Sequence, residues 1–156
     1  IDGRFLIDFY TPEEYFAFIA RVYGLTKDTL NNRLEQYQPL MHDEILGTRK
    51  YLRKFSEGNR QKTGIIGAML INPKLLILDE PFNYLDPSSQ ITVARLIRQM
   101  NELFGTTVII SSHNLNFVSE ISSRILLLEK GKVIKDLSNE SESATKELED
   151  YFNTAE

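Results

Sequence analysis

The stretch "LLILDEPFNYLDP", residues 75–87, drives four apolar residues into two adjacent carboxylates, Asp79 and Glu80, and then a proline. With Lys74 in front, "KLLIL" has no polar face, as expected of a parallel strand covered on both sides. In a parallel α/β sheet, ligands bind beyond the carboxyl ends of the strands, which is where the two carboxylates fall. A strand-end Asp is suited to hold the water shell of a Mg²⁺ ion on nucleotide phosphates, and the next carboxylate to orient and deprotonate a water. The plainer alternative is that the pair caps the following turn or forms a surface ion pair.

The surrounding pattern supports an α/β sheet. Asp86-Pro87 opens a helix whose apolar stripe is Ile91, Ala94, Ile97, Met100 and Phe104, and Gly105 closes it. "TTVIIS", residues 106–111, is a second β-branched run of the buried type, followed by a short helix around Phe117, Val118 and Ile121. "RILLLEKGKVIKD", residues 124–136, reads as a hairpin turning at Lys130-Gly131, and the acidic segment Ser141 to Phe152 reads as helix. Strands alternating with helices make an α/β fold.

Upstream the chain is helical throughout. "TPEEYFAFIARVYG", residues 11–24, has Thr11 as N-cap, Pro12 at the first helical position, Glu14 to close a capping box and Gly24 as the stop. Its expected buried stripe is Tyr15, Phe18, Ile19, Val22 and Tyr23. Thr26 caps a second helix carrying Leu30, Leu34 and Tyr37, and a third is expected from about His42 to Arg53. The division expected is a helical subdomain over 1–55 and the C-terminal part of an α/β core over 56–156.

Composition narrows the classes of function. The 156 residues suffice for one domain with a sizeable core. A net charge of −4 and a pI near 5.3 leave no basic stripe for a phosphodiester backbone, so nucleic acid is not an expected partner. The absence of cysteine excludes disulfides and thiolate metal sites. No apolar run is long enough to cross a bilayer, the first residues do not form a signal peptide, and a soluble chain is expected.

Two further groups flank the carboxylates. In "KFSEGNRQKTGIIGAML", residues 54–70, Ser56 and Gly58 begin a helix whose N-terminal amides and dipole favour an anion. In "VIISSHNL", residues 108–115, His113 lies just past the second buried strand. Singly, Ser56 reads as an ordinary N-cap and His113 as a structural hydrogen-bonder. Their order around Asp79, Glu80 and "NYLDP" is what sets them apart.

With these motifs in that order, the sequence resembles the nucleotide-binding domain of ABC transporters, in particular bacterial exporter-type ATP-binding subunits. "FSEGN" resembles the signature motif, "LLILDE" Walker B, "NYLDP" the D-loop and His113 the switch histidine, while "FIARVYGL" and "ELEDYF" resemble the helical subdomain and the usual C-terminal finish. The resemblance implies a partial RecA-like P-loop NTPase sheet, with parallel strands, a C-terminal hairpin and an N-terminal helical subdomain. It implies that Asp79 holds the magnesium shell, Glu80 is the general base and His113 contacts the γ-phosphate. Ser56, Gly58 and Asn59 would contact ATP bound to a second ATP-binding subunit, Asp86 would communicate across that dimer, and Asp2 falls where the Q-loop residue lies. The implied cofactors are ATP and Mg²⁺. The implied partners are a second ATP-binding subunit and a membrane permease, which would keep the protein cytoplasmic at the inner face of the membrane.

One expected part is missing from these 156 residues. A phosphate cradle requires G-x-x-x-x-G-K-[ST], and the one Gly-Lys, Gly131-Lys132, is followed by Val133 and has Leu126 where the first Gly belongs. The expectation is therefore a C-terminal fragment of an ATP-hydrolysing subunit, inactive alone. A non-catalytic docking module and a non-transport ABC-type ATPase are the alternatives.

Overall fold

The structure, a computed structural model, describes residues 7–139, 147, 148, 150 and 151. The described chain divides into two compact units, one ending at Ser111 and the other beginning at Ser112. The first unit opens with α1, Pro12–Val22, whose start matches the local signals. Thr11 Oγ1 accepts the Glu14 N–H and Glu14 Oε2 accepts the Thr11 N–H, so the capping box satisfies two amides that the helix cannot. α2, Lys27–Gln36, is capped by Thr26, and the four-residue α3, Gln38–Met41, follows.

The expected stripe of α1 is corrected. The buried face carries Phe16 and Ala20, while Phe18, Val22 and Tyr23 are exposed. Tyr15 and Ile19, half-buried, lie instead against α4, Glu57–Met69, at Gly67. The third expected helix, His42 to Arg53, is also absent. His42 closes α3 with φ +47, and Asp43, Gly47 and Arg49 have φ +57, +75 and +55, so the backbone is repeatedly left-handed where a helix would run. The segment is held by tertiary bonds: the Leu52 N–H donates to the Tyr10 carbonyl at 2.8 Å and the Arg53 N–H to that of Asp8 at 3.1 Å. Only the 3-10 turn Leu52–Lys54 is helical there. Long-range pairing overrides a helical pattern that lacks caps.

Two parallel strands follow, β1, Leu75–Asp79, and β2, Thr107–Ser111, in the register Leu75↔Thr107 to Asp79↔Ser111. The crossover between them is α5, Pro87–Phe104, closed by Gly105 at φ +65. β1 is not covered on both sides, contrary to its all-apolar sequence. Leu76 and Leu78 are buried, but Leu75 and Ile77 are 51% and 55% exposed and Ile109 on β2 is exposed with them. α4 and α5 pack on the sheet, and the face bearing Leu75 and Ile77 is left about half open to solvent, bordered by Tyr15 and Ile19 of α1 across a hollow. The stripe of α5 is likewise shifted: Val93, Ala94, Leu96, Ile97 and Met100 are buried, whereas Ile91 and Phe104 are exposed.

In the second unit, Asn114 Oδ1 accepts the Phe117 N–H at the start of α6, Leu115–Ile121. The hairpin β3, Arg124–Glu129, and β4, Lys132–Ser138, forms as expected. Lys130 and Gly131 have φ +50 and +77, the paired positive values of a two-residue turn whose twist matches the strands. Of the helix expected over Ser141 to Phe152, residues 147, 148, 150 and 151 are described, and they are helical; the rest lie outside the described residues.

An added Cβ on Gly67 would stand 2.8 Å from Tyr15 Cε1 and 2.9 Å from Ile19 Cδ1. Gly67→Val is expected to lower unfolding free energy by about 1–3 kcal/mol through overpacking between α1 and α4. Urea titration checks this, and an unchanged midpoint would show that the two helices separate at no cost.

Candidate active site

Asp79 ends β1 exposed to solvent, and Glu80 follows it half-buried. The register sets Ser111 opposite Asp79, and this serine organises the strand end. Its hydroxyl donates to Asp79 Oδ1. The Glu80 N–H points at the same residue, 3.0 Å from Ser111 Oγ and 3.1 Å from the Ser111 carbonyl oxygen. Glu80 itself takes φ +45 and Tyr84, further along the loop, φ +63. Each left-handed non-glycine residue costs roughly 1–3 kcal/mol, so the surroundings must hold this loop in place.

Much of that hold comes from α4. Ser56 caps the helix by accepting the Asn59 N–H at 3.2 Å, so the expected N-terminal geometry is present. The first-turn amides of Glu57 and Gly58 have no acceptor within the helix, and they carry its positive dipole end. Gly58 has a second role that its sequence does not announce. A Cβ there would lie 2.6 Å from the Tyr84 carbonyl oxygen, so the loop backbone comes as close as it does only because position 58 is glycine. Gln61 Nε2 donates to the Glu80 carbonyl at 3.3 Å, and Lys62 Nζ lies 3.6 Å from Asp86 Oδ2.

Asp86 is the N-cap of α5. Its carboxylate accepts from Ser88 Oγ at 2.6 Å, from Ser89 Oγ at 2.5 Å and from the Ser89 N–H at 3.0 Å. The Ser88 hydroxyl first, then the Ser89 hydroxyl and N–H, with a further pull from Lys62, hold this carboxyl well below the usual carboxylate range.

Of the residues singled out in the sequence, Ser56, Gly58, Asn59, Asp79, Glu80 and Asp86 lie in the first unit. His113 lies in the second unit, exposed, directly before Asn114. Asp2 lies outside the described residues. Gln61, Lys62 and Ser111 were not foreseen. Gln61 and Lys62 stand three and four residues after Gly58, the spacing that places them on one helix face, and Ser111 follows from strand register.

A Mg²⁺ ion keeps several waters and takes one or two protein carboxylates together with phosphate oxygens. Asp79 fits that role, solvent-facing and oriented by Ser111. Among the described residues no group of three or more His, Cys, Asp or Glu could hold a metal unaided, so a cation here would rely on a phosphate ligand. An open hollow of about 280 Å³ between α1, α4 and β1, lined by Tyr15, Ile19, Tyr23, Gly67 and Leu75, carries no carboxylate or histidine for a cation.

The profile of the family described as "AAA domain, putative AbiEii toxin, Type IV TA system" matches residues 18–119, about two thirds of the chain, and the chain belongs to that family. It is 28% identical over 131 residues to the methionine import ATP-binding protein MetN of Carboxydothermus hydrogenoformans, covering 84% of this chain and 39% of that protein. It is 32% identical to the bacitracin transport ATP-binding protein BcrA of Bacillus licheniformis, covering 81% and 40%. A solved ATP-binding subunit of an ABC transporter superposes with a TM-score of 0.76 at 26% identity, over 85% of this chain and 55% of that one. A dimeric ATP-binding cassette in a post-hydrolysis state with ADP and Pi gives 0.77 at 22% identity, which speaks to fold alone. The chain thus spans less than half the length of these two curated relatives.

Because Asp86 is held ionised by native contacts, its contribution to stability is fully present above the unfolded value near about pH 4 and is lost as pH falls below it. Asp86→Ala is expected to cost more at pH 7 than the ~1 kcal/mol of a lost N-cap, because it also leaves the buried Lys62 ammonium without its carboxylate, and the difference from the parent chain should shrink on acidification below about pH 4. Denaturant titrations from pH 7 to pH 3 read this directly; a difference constant over that range would contradict it.

Proposed function

We propose that this chain is part of the ATP-hydrolysing subunit of an ABC transporter, supplying its signature, Walker B, D-loop and switch segments. The observation that carries the reading is the end of β1, where two carboxylates leave a parallel strand into a loop ending at Asp86. In this reading Glu80 takes the proton of the attacking water and Asp79 orients the water shell of Mg²⁺, which when bound neutralises charge on the phosphates. Ser56, Gly58 and Asn59 present the N-terminus of α4 to the ATP of a second ATP-binding subunit, and His113 contacts the γ-phosphate. Asp86 lies at the interface with that subunit and Asp2 in the Q-loop. The functional division is a helical subdomain over 1–55 and core over 56–156, and a permease holds the subunit at the cytoplasmic face of the membrane. Among the described residues no helix is long and apolar enough to cross a membrane, in keeping with a peripheral role. The 45% of the solved ATP-binding subunit that the match leaves out is where a cover for Leu75 and Ile77, and a phosphate cradle, would be sought.

By itself the 156-residue chain is expected to show no tight one-to-one complex with Mg-ATP in calorimetry, since it has no G-x-x-x-x-G-K-[ST] to wrap the phosphates; a tight complex would sink that claim. Joined to a relative's segment bearing the cradle, it should hydrolyse ATP. There Glu80→Gln should cut kcat by about 10²–10⁴-fold with ATP affinity retained. Unimpaired turnover in that variant would remove Glu80 from the role of base.

A further inference from the structure

We infer that Gln61 and Lys62 are positioning residues for the loop 80–86, and that α4 fixes this loop through one helix face. The inference rests on the ATPase reading above for the importance of Glu80 and Asp86, but its geometry stands independently. Gly58, Gln61 and Lys62 occupy positions i, i+3 and i+4 of α4, one contiguous stripe. Each meets a different point of the loop. Gly58 admits the Tyr84 carbonyl, Gln61 Nε2 donates to the Glu80 carbonyl at 3.3 Å, and Lys62 pairs with Asp86 at 3.6 Å. The first and last of the carboxylates that follow β1 in this loop, Glu80 and Asp86, are therefore both tied to the helix.

Two features make these ties more than incidental packing. Lys62 is only 4% exposed, and a buried ammonium requires a negative partner, so the helix dictates where Asp86 sits. The loop contains two left-handed non-glycine residues, Glu80 and Tyr84, and each of them is met at its carbonyl by this stripe. The same helix offers its N-terminal amides, capped by Ser56, two residues before Gly58 and five before Gln61. A displacement of that N-terminus is transmitted to the Glu80 backbone through Gln61, and α4 thereby links the anion-facing end of the helix to the carboxylate that would act on a different nucleotide.

The loop carries its own reporters. The Asn83 N–H donates to the Glu80 carbonyl at 3.2 Å and the Leu85 N–H to that of Phe82 at 3.4 Å. Amide hydrogen exchange of the 156-residue chain, without nucleotide, is expected to speed up at least tenfold at Asn83 and Leu85 in Gln61→Leu and in Lys62→Met, with β1 and α5 unchanged. Lys62→Arg should restore protection. Exchange unaltered in the loop, or accelerated equally in β1 and α5, would overturn the inference, as would a lack of rescue by arginine. Should Lys62→Met fail to fold, Gly58→Ala provides the same readout, since its methyl is aimed at the Tyr84 carbonyl without unpairing a buried charge. Because no nucleotide enters the measurement, a negative result here leaves the ATPase reading intact, and an inactive hybrid leaves this inference intact.

Discussion

The pairing of Asp79 with Ser111 at the end of two parallel strands is the constraint on which the candidate site depends. One serine satisfies the Asp79 carboxylate with its hydroxyl and receives the Glu80 N–H, so it decides where the ladder stops and which way the chain leaves. If the strand slipped by one residue, every side chain would change face and both carboxylates would point elsewhere. The parallel pairing itself requires a long crossover, and α5 provides it with Asp86 at its head. Strand register and helix cap thus fix the two ends of a seven-residue loop.

Between those ends the loop adopts a backbone that its own residues do not favour. Glu80 and Tyr84 are neither glycine nor asparagine, yet both have positive φ. Strain of this kind persists only where neighbouring structure over-determines it, and it clusters where function needs a set geometry. α4 supplies part of that determination from one face, while its opposite contacts, Gly67 against Tyr15 and Ile19, hold the helix on α1. Arg60 adds a bond to the Leu52 carbonyl at 3.1 Å and an ion pair with Asp8 at 2.9 Å, anchoring the irregular segment that replaces the third helix. The helical part and the strand end are in this way braced by a single helix.

Features governed by neighbours in sequence were legible. The Thr11–Glu14 capping box, the Asp86-Pro87 helix start, the Gly105 stop and the Lys130-Gly131 turn need only a few consecutive residues to specify them, and all appear where the sequence places them. What depended on partners distant in sequence was not. His42 to Arg53 has helical spacing but is drawn into loop by backbone bonds to Asp8 and Tyr10, and α1 turns Phe16 rather than Phe18 inward because its neighbours lie on that side. β1 reads as doubly covered because apolar residues occupy both faces, whereas the face bearing Leu75 and Ile77 is about half exposed. The strand-end carboxylates and the Ser56 cap were legible as elements of a candidate site; Gln61, Lys62 and Ser111 were not, since a buried lysine or a strand-end serine gains its meaning from what stands opposite.

The N-terminus of α4 shows how one carboxylate changes the physics of a helix start. Glu57 sits in the first helical turn, where a carboxylate interacts favourably with the helix dipole and strengthens the helix when nothing is bound. The same charge opposes an incoming phosphate. Glu57 is exposed, so its field is largely screened by water, and at high dielectric a like-charge pair a few ångströms apart costs about 1 kcal/mol. That is a modest penalty on any anion drawn to this helix end. Gly58 admits no such latitude, because its hydrogen is what lets the Tyr84 carbonyl approach. The segment Ser56 to Asn59 is therefore tolerant where it faces solvent and strict where it faces the loop that carries Glu80.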